Sequence, residues 1–156
     1  MAASMGPHPG RLAGTGTPTG QRCIPGTFGA ARDARRYAAT VLGAGHPALA
    51  DTELVMSELV ANATRHTRSG LSGGEIGVAV EHVPAGVRVE VIDAGPLTTN
   101  PAIPLPRTPG IDAEQGRGLL LVEAVTTDWG TTRHPNGYRS VWAIIPAPDE
   151  DSPNAP

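Results

Sequence analysis

Three short segments combine residue types and spacings able to act on a charged ligand. In the first, Glu58, Asn62 and His66 recur at every fourth position. A helix returns to the same face at that interval, so the spacing aligns a carboxylate, an amide and an imidazole, with Arg65 next to them. Such a stripe is polar opposite the apolar side, and a solvated helix face has the same pattern. The second segment is Val89-Glu90-Val91-Ile92-Asp93-Ala94-Gly95, a strand that ends on an aspartate. A carboxylate there can accept a hydrogen bond from an exocyclic amine such as that of adenine. Gly95 lets the backbone approach a flat ring closely, and the same pair also reads as an ordinary turn. The third segment, Gln115-Gly116-Arg117-Gly118-Leu119, puts glycines just before an apolar run. Free amide groups at a helix start suit a phosphate, and Arg117 adds a fixed charge able to fork to phosphate oxygens. The GxxxxGK[ST] phosphate loop is absent.

These residues need elements to position them. The pattern predicts a short edge strand over Arg22–Pro25. A helix is expected from Gly29 to Leu42, with Ala31, Ala34, Tyr37, Ala38 and Val41 on its apolar side, and a second from about Ala48 to Thr67, with Leu49, Leu54, Val55, Leu59 and Ala63. Ile76, Val78 and Val80 alternate with other residues, as do Val87, Val89 and Val91, and Val83–Gly86 turns between them, so an antiparallel hairpin is expected. A short helix is expected from Gly118 to about Val125. A strand region begins at Trp129, and a last strand runs from Tyr138 to Ile145 after the Asn136-Gly137 turn. Between Asp93 and about Gln115 the chain is rich in Pro, Gly and Thr, and an internal loop of that length tends to be functional.

Composition sets the outer bounds. The 156 residues fit one domain, read as 22–146 between disordered tails over 1–21 and 147–156. Hydrophobic residues make up 39% and aromatics only 3%, so Val, Leu, Ile and Ala must build the core. A net charge of −3 suggests no direct nucleic-acid partner. Cys23 is the single cysteine, which excludes an internal disulfide and leaves it as a small buried hydrophobe. No apolar run is long enough to span a bilayer and no signal segment opens the chain, so no membrane partner and a cytoplasmic location are expected. Trp129 and Trp142 read as packing residues, and Arg32, Arg35 and Arg36 as a solvated helix face.

In this order, the three segments resemble the N, G1 and G2 boxes of the GHKL superfamily of ATP-binding domains. The likeness runs over about Cys23–Pro146 and is nearest to the single-domain anti-sigma-factor serine/threonine kinases. It implies a two-layer α/β sandwich of the Bergerat type, with helices on one face of a mixed, mostly antiparallel sheet. It implies ATP and Mg²⁺ as cofactors. Asn62 then holds the metal, Glu58 is the general base, and Asp93 reads adenine beside Gly95, backed by Ser140. Gly116, Arg117, Gly118 and Leu119 close over the phosphates, with Arg65 and His66 as secondary contacts. Leu97 stands where the pattern has a further glycine, so a looser closure of the lid over about 97–115 is expected.

The function so implied is a regulatory kinase that transfers the γ-phosphate to Ser or Thr of a small antagonist protein. Its partners would be that antagonist, a sigma factor or both, and a homodimer is compatible with this role. The rival reading is a non-catalytic nucleotide switch that regulates a partner. The ATP-binding half of a histidine kinase fits poorly, since the chain has no room for a dimerising hairpin with a phosphoacceptor histidine.

Overall fold

The computed structural model describes residues 21–97 and 113–147. Most of the expected lid lies outside them, as do the tails apart from Gln21 and Ala147. Along the chain come β1 (Gln21–Pro25), α1 (Ala30–Leu42), α2 (Leu49–His66), a 3-10 turn (Arg68–Gly70), β2 (Glu75–Val83), β3 (Gly86–Asp93), α3 (Ala113–Val125), β4 (Asp128–Arg133) and β5 (Arg139–Ile145). Among the described residues the strands form one sheet in the order β1-β2-β3-β5-β4. Each neighbouring pair is antiparallel.

Strand periodicity explains why the helices pack on one face. Ile76, Val78 and Val80 of β2, Val87, Val89 and Val91 of β3, and Ala143 and Ile145 of β5 are all buried in one cluster. The register sets Val78 opposite Val91, Val80 opposite Val89, and Val89 opposite Ala143, so these side chains share a face. Helix α2 lies on it through Thr52, Val55, Met56, Leu59, Val60 and Ala63, which recur every three to four residues. Leu49 and Leu54, expected on that side, are only half-buried, while Met56 and Val60 replace them. Ala30, Ala34, Tyr37 and Ala38 seat α1 beside α2. The three small alanines let the helices approach, and Arg35 donates to Ser57 Oγ across that contact at 3.0 Å. Arg35 is therefore an interhelical tie, not part of the expected solvated face.

The termini of the domain also differ from expectation. Gln21 belongs to β1, paired with Ala79, and Ala147 packs against the core. Cys23 is exposed, because Ile24 takes the inward position on the same short strand. Burial and the Glu75 carboxylate both raise its thiol pKa. No described helix is long and apolar enough to cross a membrane.

Candidate functional site

The carboxylate at the end of β3 is the most constrained polar group of the site. Asp93 lies on the helix-facing side of the sheet, in line with Val87, Val89 and Val91, and is 2% exposed. Its Oδ1 accepts the Gly95 amide at 2.8 Å, closing a tight turn. Its Oδ2 accepts Arg139 Nε at 3.3 Å and Nη2 at 3.2 Å. Burial pushes the carboxyl above the ordinary aspartate range. Attraction to Arg139, the Gly95 amide and Arg68 pulls it back only in part.

Arg139 is a residue that sequence reasoning missed. The expectation placed Ser140 behind Asp93, and the structure corrects it. Asp93 is the register partner of Arg139, so the next residue, Ser140, faces the other side of the sheet. There the Ser140 hydroxyl lies 3.1 Å from His134 Nε2. The strand alternation in the sequence carried the signal, but only with the register in hand.

A second missed residue, Arg68, fixes the backbone after Asp93. Its guanidinium donates to the Ala94 carbonyl through Nε, at 3.0 Å, and through Nη2. Its amide donates to the Gly95 carbonyl at 2.9 Å, and Ser69 Oγ accepts the Ala94 amide at 2.9 Å. Thr67 and Pro96 form a bridge, so the end of α2 is stitched to the end of β3. Gly95 has φ 90°, and a Cβ there would lie 2.5 Å from the Gly137 carbonyl oxygen. Glycine is required on both counts. Leu97 introduces no such strain, because no described non-glycine residue has a positive φ.

Glu58 and Asn62 lie one turn apart on α2, both half-buried. Gly118 of α3 packs directly on Glu58: a Cβ there would come within 2.1 Å of Glu58 Oε2. The expectation that the helix starts at Gly118, with Gly116 and Arg117 ahead of it, is corrected. Helix α3 begins at Ala113, since Ala, Glu and Gln are good helix formers and carry it upstream. Gly116 is in its first turn, whereas Arg117 and Gly118 lie past it, where helix bonding engages the amides. Arg117 is exposed and Leu119 half-buried.

Arg65 and His66 close the last turn of α2, where the Arg65 charge complements the free carbonyls. Arg65 is exposed. The His66 carbonyl accepts the Leu97 amide at 3.4 Å. Both residues thus belong to the Asp93 end of the helix, about two turns from Glu58.

Helix α2 therefore carries two clusters: Glu58 and Asn62 against Gly118, and the Asp93 turn at its C-terminal end. From Glu58 to the cap residue Thr67 is nine residues, about 13 Å of helix. That separation suits a ligand with an amine-bearing ring at one end and an anionic group at the other. No cluster of His, Cys, Asp and Glu able to hold a metal alone exists among the described residues. A single amide donor such as Asn62 suits a hard ion that takes its other ligands from phosphate and water. The model of the histidine kinase-like ATPase domain matches residues 24–145. No curated protein matches the chain.

Proposed function

The chain belongs to the histidine kinase-like ATPase domain family, and from that premise we propose that it is a regulatory serine/threonine kinase that moves the γ-phosphate of ATP to a small antagonist protein. The observation that carries this reading is the pair of clusters along α2. Their spacing along the helix, about 13 Å of rise, is on the scale of a nucleoside triphosphate, and the residues of each cluster suit one of its ends.

In this reading Asp93 accepts the adenine amine, and Gly95 leaves room for the ring. Arg68, Ser69 and the Thr67–Pro96 bridge brace this turn through the protein's own contacts. Asn62 offers its amide oxygen to Mg²⁺, and Glu58, one turn earlier, takes the proton from the acceptor hydroxyl. The metal, when bound, supplies charge neutralisation for the phosphates. Gly118 keeps the space beside Glu58 free of side-chain atoms, which sets where that carboxylate rests.

The test has two stages. Calorimetry with ATP and Mg²⁺ is expected to give a binding heat, and folded protein that gives none at millimolar-scale nucleotide excludes the whole reading. Labelled ATP is then incubated with candidate antagonist proteins encoded nearby. Transfer to a Ser or Thr supports the kinase, and binding without transfer to any of them supports the switch.

A further inference from the structure

One oxygen of the Asp93 carboxylate, Oδ2, already has its donors in the protein. A carboxylate has roughly four acceptor positions on its two oxygens. Gly95 fills one on Oδ1, and the Arg139 fork brings two donors to Oδ2. A ring amine directed at Oδ2 therefore meets a competitor. The two groups that hold Asp93 differ in their freedom to leave. The Gly95 amide is part of the backbone turn. Arg139 sits at the tip of a rotatable chain whose side chain is 15% exposed, and its contacts of 3.2 and 3.3 Å exceed the roughly 2.7–2.9 Å of a tight charge-assisted bond.

Arg68, the other cation that acts on Asp93, is not a substitute. Its guanidinium is committed to the Ala94 carbonyl, and among the described residues it is Arg139 that makes the ion pair with the buried carboxylate. That pairing has a physical reason: an ionised carboxylate out of water is costly without a partner.

We infer that Arg139 is a latch on Asp93 Oδ2, the oxygen that the exocyclic amine of adenine takes by displacing it, and that this residue sets both the affinity of the site and its selectivity for the amine. The inference rests on the nucleotide reading above. Opening the latch exchanges a charged hydrogen-bond partner for a neutral one, so the intact latch lowers adenine affinity. A purine without the amine has nothing to exchange, and its affinity is independent of the latch.

The experiment compares Arg139→Met with the wild type at mildly alkaline pH. Calorimetry is run with ATP and with purine riboside triphosphate, which lacks the 6-amino group. The expected result is an affinity for ATP about tenfold higher in Arg139→Met, the scale of one competing charged hydrogen bond, with the amine-free nucleotide unchanged. Arg139→Gln, neutral but still polar, takes its place if the Met variant does not fold, and the same direction is expected. Unchanged ATP affinity overturns the latch. Equal shifts for both nucleotides also overturn it, since Arg139 then acts on the phosphates or on the fold. If neither folded protein binds either nucleotide, the nucleotide reading itself falls, and the latch with it.

Discussion

Gly118 on α3 faces the carboxylate of Glu58 on α2 so closely that an added Cβ would come within 2.1 Å of Oε2. The obstructing atom is the far end of a flexible, half-buried side chain, not backbone. Gly118→Ala is therefore accommodated by moving Glu58. Alanine in a helix gains about 0.5–1 kcal/mol over glycine, which offsets the displacement. Thermal unfolding is expected to stay close to wild type, while phosphate transfer to the antagonist falls. Full transfer by a folded Gly118→Ala protein would show that the resting place of Glu58 has no bearing on the reaction.

Glu58→Gln separates kinase from switch. The amide keeps the size of the side chain and removes its basicity, so ATP affinity is expected to stay near wild type while transfer drops by about 10²–10⁴-fold. Asn62→Ala is expected to lose Mg²⁺-dependent ATP affinity as well as transfer. Robust transfer by Glu58→Gln refutes the base assignment and leaves the nucleotide site standing.

Gly95→Ala is expected to destabilise the fold by about 1–3 kcal/mol, from the positive φ and the encounter with the Gly137 carbonyl together. The same change disturbs the amide that holds Asp93 Oδ1. Denaturant unfolding measures the first effect, and ATP calorimetry the second. A variant as stable as wild type would mean that this turn relaxes freely.

Asp93 makes the protein respond to pH with a definite sign. Its carboxyl in the fold ionises at higher pH than in the unfolded chain, chiefly through burial. The folded state therefore holds the proton more tightly. The stability Asp93 contributes is full below the ordinary aspartate range and is lost as pH rises through the raised value. Adenine reading in the wild type runs the other way, because it needs the ionised acceptor: ATP affinity is expected to fall as pH is lowered through that raised value. Asp93→Asn, expected to weaken ATP binding by about 1–3 kcal/mol at neutral pH, removes this titration. An identical pH profile for the two proteins would assign the dependence to another group.

Local patterning was enough to determine most of the elements, the start of α3 excepted, and to align the candidate side chains of α2. The period of two in Ile76–Val80 and Val87–Val91 specified the hairpin, and the period near 3.6 in α2 placed Glu58 and Asn62 on one face. Both follow from backbone geometry that neighbouring residues alone dictate. What pairs with those side chains was decided only in three dimensions. Asp93 and Arg139 are forty-six positions apart, and the β3–β5 register, not any local motif, makes Arg139 the partner and turns Ser140 away. A shift of that register by one residue would have exchanged their faces. Likewise nothing local singles out Arg68, and Gly118 reads as a glycine just before an apolar run. The packing of α2 against β3 and α3 made one a clasp on Ala94 and the other the seat of Glu58. Contacts between elements depend on how whole faces fit together, and that information is spread over the chain.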